Sequence, residues 1–283
     1  MSDQLKEKTF LLGGSIEKAI SGQVELSPVR VLQEAWKNTI THFFTFSPAI
    51  LLLTFTYMAV FFIALQVQLG DPAVLFHAFL GETELTTQIS YAAFVAGLSA
   101  QVIVSPLTAG ASLMGMSHAA GLKCRSSYIF KGIASAGMVA LVTILSEVLQ
   151  GLVNIYLPMI ALYLSMAFGF ALLLVCEKKI PPLKALLLSF RATNKKLTSM
   201  LLIHVVIMLA LVFGIALYGV GLIVVMPFIF NVKGILYRDM FGITLKVMVS
   251  DDDNNNDDDG SKKNDSEHQN NSNKDVKNNI FNA

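Results

Sequence analysis

Six stretches of this chain are apolar and almost free of charge, and each is near the roughly 20 residues that cross a hydrocarbon core. They run over residues 43–65, 89–111, 134–153, 157–175, 199–217 and 220–241. In lipid every backbone N–H and C=O must pair inside its own segment, which makes helices the default spanning structure. The predicted fold class is therefore all-α, a polytopic transmembrane helical bundle of six spans. Composition agrees: 54% of residues are hydrophobic and only 14% are charged, against roughly 25% charged in a soluble domain.

Loop charges predict the orientation, because Lys and Arg in short loops stay on the cytoplasmic side. Lys6, Lys8, Lys18, Arg30 and Lys37 precede the first span, and residues 66–88 then carry no Lys or Arg. Lys123, Arg125 and Lys131 follow span two, the turn at residues 154–156 has none, and six basic residues lie between spans four and five. Gly219 marks another uncharged turn, and Lys233, Arg238 and Lys246 close the last span. The alternation has no exception, so both termini are expected in the cytoplasm. The start, MSDQLKEKTFLLGG, lacks a long apolar core, so span one is expected to act as the insertion signal. Cys124 and Cys176 fall at cytoplasmic ends, where thiols stay reduced, and no disulfide is expected.

Three regions follow. Residues 1–27 read as a loosely held cytoplasmic arm with a short helix near Ser15. Residues 28–249 hold the spans and two amphipathic interfacial helices, at 28–41 and 182–196. In the first helix Pro28 suits a first turn and Ser27 suits a cap. Val29, Leu32, Trp36 and Ile40 share one face, with Arg30, Glu34 and Lys37 on the other. Trp36, Arg30, Lys37, Lys184 and Arg191 are the residues expected at the interface. Residues 250–283, rich in Asp and Asn, cannot bury a core and are expected to be disordered. Their Ca²⁺-loop spacing fails and their sequons face the cytoplasm.

A shift of 154 residues lays Pro28 on Pro182, Arg30 on Lys184, Leu32 on Leu186, Trp36 on Phe190 and Lys37 on Arg191. Each helix leads into two spans, the second of which carries a proline, Pro106 or Pro227. This suggests a parallel internal repeat, with spans three and four as an inserted helical hairpin. Prolines inside spans shape a helix and free a carbonyl. Small residues recur every fourth position in span two (Ala92, Ala96, Ala100), span three (Gly132, Ala136, Ala140) and span four (Ala161, Ser165, Gly169). Close intramolecular packing is the expected use, with a dimerisation face as the alternative.

Glu147 is the one acid well inside a span, and an intramembrane ionisable residue is by default a functional candidate. Gln150 and Asn154 follow it near helical spacing, and Gln101 and His204 complete the candidate polar site. Glu147 is expected nearer the outer half and His204 nearer the inner half. The structural alternative is a protonated Glu147 bonded to a neighbouring helix. No HExxH, P-loop or GxGxxG pattern occurs. GASLM at Gly110 lacks the closing glycine of a hydrolase elbow. No catalytic residue, cofactor, metal ligand or nucleic-acid partner is expected.

EAWKNT before span one, LLLSFRATNKK before span five and VGLIVVMPFIFNVKGILYRDMFG at the end resemble a group of uncharacterised bacterial inner-membrane proteins that includes the YciC-like proteins. Tyr237, Arg238 and Asp239 stand where that group has a Tyr-Arg-Asp-type sequence. The resemblance covers about residues 27–243 and implies a six-helix, multi-pass protein of the inner membrane. It transfers no activity. The first expectation is a non-enzymatic protein acting through contacts with the lipid bilayer, a membrane-protein partner or a second copy. The alternative is a small-solute transporter or channel that uses Glu147 and the proline-bearing spans. A polar cavity inside the bundle would favour the alternative.

Overall fold

The computed structural model describes residues 6–217 and 219–249. The 250–283 tail, its sequons and its failed Ca²⁺ loop lie outside the described residues.

In chain order the elements are β1 (Lys6–Leu12), α1 (Ile16–Ser21), α2 (Pro28–Thr41), α3 (Phe43–Leu69), α4 (Ala73–Phe79) and α5 (Thr87–Ala119). A 3₁₀ helix (Ser126–Ser135) leads into α6 (Ala136–Tyr156). Then come α7 (Pro158–Ala167), α8 (Ala171–Lys178), α9 (Pro182–Lys195), α10 (Leu197–Ala216), α11 (Leu222–Phe241) and β2 (Ile243–Val249). β1 and β2 form a two-stranded sheet, the one departure from all-α structure among the described residues. Of the described residues, 6–12 and 244–249 belong to one compact unit, and residues 13–243 are the helical unit.

Among the described residues, five helical segments are long and apolar enough to cross a membrane: Phe43–Leu69, Thr87–Ala119, Ser126–Tyr156, Pro158–Lys178 and Leu197–Ala216. Their outer surfaces are apolar, with Phe44 90%, Phe55 75% and Phe213 65% exposed. Water would make such a surface costly, and lipid does not. The chain is an integral membrane protein. α11 occupies the expected sixth stretch but is not among the five, because Lys233, Arg238 and Asp239 lie within it.

α5 is the hub of the helical unit. It packs along α3, α6 and α11 and against the 3₁₀ helix. Ala92, Ala96 and Ala100 are buried, the first two packing with Leu65 of α3, which is the intramolecular use expected of them. From Ala109 to Ala119 every α5 residue is buried. A Cβ on Gly115 would land on the Phe230 carbonyl of α11, and one on Gly234 would land on the Gly115 backbone. The two backbones therefore touch, as small residues allow.

Two features differ from the expectation. The arm is ordered from Ser15 onward: Ser15 accepts a bond from the Lys18 N–H, Gly22 closes α1 at φ 79°, and Ala19 and Val24 are buried. Its small apolar side chains find a surface on α9 and α11. Ser27 does not cap α2 with its side chain. Its backbone carbonyl accepts from Val31 at 3.1 Å, and the Pro28 ring presets the first turn.

α2 buries its small face, Val31, Ala35 and Thr39, and turns Val29, Trp36 and Ile40 outward. Lys37, Lys184 and Arg191 are exposed. α9 does the same with Leu183 and Leu187 outward. Both helices are 14 residues long and start on proline, at the shift of 154 that separates Pro28 from Pro182.

Candidate functional site

Thr143, Ser146, Glu147 and Gln150 lie three and four residues apart on α6 and so share one face. Gln101, Ser105 and Thr108 do the same on α5. Tyr57 of α3, Ser165 and Gly169 beside the α7–α8 break, and Lys233 of α11 close the space between those faces. Together they line a cavity of about 210 Å³. Glu147 and Lys233 stand near the middle of helices of 21 and 20 residues.

Most of the polar lining is held by its own helix. Thr143 donates to the Val139 carbonyl at 3.0 Å, and the Gln150 amide donates to Ser146 Oγ at 2.7 Å. Ser105 Oγ donates at 2.7 Å to the Val102 carbonyl, the group that Pro106 leaves without its helical N–H. Pro106 thus shapes α5 without leaving an unpaired carbonyl in the cavity wall. Gln101 and Glu147 line the same space from facing helices. Among the described residues, Glu147 and Lys233 form no ion pair with each other, although both face the same space.

The fourth apolar stretch breaks beside this cavity. α7 stops at Ala167 and α8 starts at Ala171. Ser189 of α9 stitches the gap, donating to the Ala167 carbonyl at 2.6 Å and accepting from the Phe170 N–H at 3.2 Å. Irregular backbone at membrane depth is tolerated where it is buried in protein or lines a cavity. Gly169, in the break, lines the polar cavity.

A second cavity of about 180 Å³ adjoins the first and shares Ser165, Gly169 and Lys233 with it. Its other walls are mainly apolar, from Met166, Phe170, Met200, Ile203, Ile229 and Leu236, together with His204. The Nε2 of His204 is buried without a partner. Of the sequence candidates, Glu147, Gln150 and Gln101 converge on one cavity. His204 faces the next chamber instead, on the far side of Lys233. Asn154 lies beyond the polar cavity, on an apolar groove with Tyr91, Phe94 and Glu147. Lys233 was read from the sequence as closing the last span, and the structure places it inside the bundle. Its mid-helix position in FIFNVKGIL was the signal for this. Pro227 is buried in α11, one residue before Phe228, whose ring meets Trp36 edge-on at 6.1 Å.

Polar groups also gather where α2, α5 and α11 meet. Thr39 donates to the Ala35 carbonyl at 2.7 Å and accepts from the Asn231 amide at 3.1 Å. That orients Asn231 Oδ1 toward His118 Nδ1, 3.1 Å away, so Nδ1 carries the proton. His118 Nε2 then accepts from the Cys124 thiol at 3.2 Å. Burial pushes that thiol up to about 11, which keeps it a donor and a poor nucleophile. His42 stacks on His118 with ring centres 4.1 Å apart. Burial, and next Lys123, lower its pKa.

Arg238 binds both carboxylate oxygens of Glu34, the Asp239 carboxylate and, at 2.8 Å, the Ala119 carbonyl. Asp239 in turn takes Arg30 of α2, and Tyr237 donates to Glu177 at 2.7 Å. Arg30, expected at the interface, is thus an ion-pair partner. The Tyr-Arg-Asp triplet ties α11 to α2, α5 and α8. Among the described residues no group of three or more His, Cys, Asp or Glu side chains is placed to hold a metal ion.

No protein-family model, curated protein or solved structure matches this chain.

Proposed function

We propose that this chain is a multi-pass membrane protein that passes a small polar solute through the Glu147–Lys233 cavity. This puts the transport alternative ahead of a role through lipid or protein contacts. The observation that carries it is the meeting of two opposite ionisable groups, forming no ion pair with each other among the described residues, in one interhelical cavity. Such groups are costly in lipid and mark solute and ion paths. The broken α7–α8 segment beside them supports the same reading, because transporter sites use discontinuous helices near the midplane. Lipid or protein contact alone accounts for the apolar exterior and leaves the cavity without a use.

The reading takes α11 as the sixth span, with Lys233 tolerated because it faces the cavity. The proline-started helices α2 and α9 support a parallel repeat, each leading into two spans. The charge alternation supports cytoplasmic termini, and the resemblance supports the bacterial inner membrane. Reporter fusions check the topology: Gly81 should read as periplasmic, Lys123 and Lys184 as cytoplasmic. A periplasmic signal at Lys184 overturns both the orientation and the parallel repeat.

Water access tests the path itself. In a Cys124→Ser, Cys176→Ala background, Thr108→Cys should react with a charged, membrane-impermeant thiol reagent in proteoliposomes. Ala96→Cys, on the face of α5 buried against α3, should react only after denaturation. A Thr108→Cys protein as inert as Ala96→Cys from both sides defeats the proposal.

A further inference from the structure

The two adjoining cavities specify a ligand as well as a path. Resting on the solute-path reading, we infer that the site takes a small zwitterion with an apolar side group, of the aliphatic α-amino acid class.

Charge comes first. Glu147 and Lys233 line one cavity and form no ion pair among the described residues. A lone cation would answer Glu147 and leave Lys233 uncompensated, and a lone anion would do the reverse. One molecule carrying an ammonium and a carboxylate answers both. The remaining lining adds neutral hydrogen-bonding groups, among them Ser146, Thr143 and Gln150. These suit a polar head without adding net charge.

Size comes second. At about 210 Å³ the polar chamber falls below the roughly 300–1,000 Å³ of drug-sized pockets. The head group must be small.

The second chamber decides the side group. It meets the first at Ser165, Gly169 and Lys233, so a carboxylate held at Lys233 stands at the junction. Beyond the junction the walls are mainly Met, Ile, Phe, Val and Leu side chains, and the space is about 180 Å³. An aliphatic branch on the carbon next to the carboxylate points into that space, while the ammonium stays with Glu147. A side chain bearing its own charge would be left unpaired there, because His204 is the one further titratable residue on that wall.

Thermal unfolding of the purified full-length protein in detergent tests this. The four probes are leucine, isoamylamine, 4-methylpentanoate and glycine. Leucine should raise Tm in a saturable manner, since a ligand that binds only the folded state stabilises it. The amine and the acid, each lacking one charge, should need about tenfold higher concentration or more for the same shift, as expected for a lost bond to a charged group. Glycine, with no side group, should also be weaker. In Lys233→Met, leucine should fall to the level of isoamylamine, and in Glu147→Gln to that of 4-methylpentanoate. A parent protein that treats leucine and either single-charge compound alike overturns the zwitterion. So does a parent that responds to none of the four. In that last case thiol labelling separates the two failures: a reactive Thr108→Cys leaves the path standing without this ligand, and an inert one removes both.

Discussion

The network around Arg238 and the cavity around Glu147 both place charge inside an apolar bundle, yet they are built in opposite ways. At the ends of α5 and α11, His118, Asn231, Tyr237, Arg238 and Asp239 each meet a partner from another helix. Arg238 has two carboxylates and a carbonyl, and Asn231 bridges His118 and Thr39. In the cavity Ser105, Thr108 and Thr143 bond to their own helices, and Glu147 and Lys233 form no ion pair among the described residues. Saturated polar networks tie elements together, because removing one member strands the rest. Two charges that form no ion pair add little to the fold, and on the proposed reading they are kept for a ligand. The first arrangement should be read out in stability and the second in binding.

Arg238 is where that contrast breaks most visibly. Arg238→Met leaves Glu34 without its counterion, Asp239 with Arg30 alone and the Ala119 carbonyl without its side-chain donor. Breaking a buried pair from one side costs about 3–5 kcal/mol. The Glu34 side chain is 30% exposed, which places the expected loss near the lower bound. Thermal unfolding in detergent should show it, and Glu34→Met added to Arg238→Met should recover part of it. A single variant as stable as the parent would remove the network from the stability side of the comparison.

Asn231→Ala is next. It strands His118 Nδ1 and removes the donor to Thr39, both fully buried, at about 1–3 kcal/mol. Thr39→Val should cost less, since Asn231 keeps His118. Equal losses in the two variants would mean that the chain of bonds does not run through Asn231 as drawn.

Packing supplies a smaller, position-dependent effect. Gly234→Ala pushes a methyl into the Gly115 backbone and should cost about 1–3 kcal/mol. The same change at Gly137, which has open space around it, should be neutral or stabilising by up to about 1 kcal/mol. If Gly234→Ala were as mild as Gly137→Ala, the α5–α11 contact would be looser than described.

The long apolar runs made the membrane helices legible, because hydrocarbon thickness leaves little choice of length or conformation. The bends and partners were less so. Nothing in LYLSMAFGFALLLV announces that the helix stops at Phe168, because both halves are equally apolar and the stitch comes from Ser189 on another element. Lys233 is legible as a charge but not in its role: grouped with Arg238 and Lys246 it looks like a flank of the last span, although it lies mid-helix, and only the packing of α11 shows that it lines the cavities. Glu147 and Gln150 are legible as one face from their spacing, while Ser105, Thr108 and Thr143 join the site only in the structure. Ser and Thr on a membrane helix commonly bond their own backbone, so spacing alone did not say that the α5 and α6 faces meet. His118 and Asn231 are 113 residues apart, and only the topology brings them together.

The smallest expected effect is the most informative. Glu147→Gln keeps the size of the side chain, and Lys233→Met keeps most of the volume. Were these groups a structural pair, each single change would strand a charge and cost about 3–5 kcal/mol, and the double variant would regain much of it. The geometry contains no such pair among the described residues, so that penalty has no source. Removing either group should instead relieve the cost of holding a charge in the bundle. Both single variants should unfold within about 0.5 kcal/mol of the parent, the scale of substitutions that break no contact, or be slightly more stable. The double variant should be additive, with coupling below about 0.5 kcal/mol. A double-mutant cycle on thermal stability decides between the two cases. Coupling of about 2 kcal/mol or more, with the double variant restored toward the parent, would move Glu147 and Lys233 to the side of Arg238 and Asn231. The cavity would then be a strut of the fold, and the two regions would no longer differ in kind.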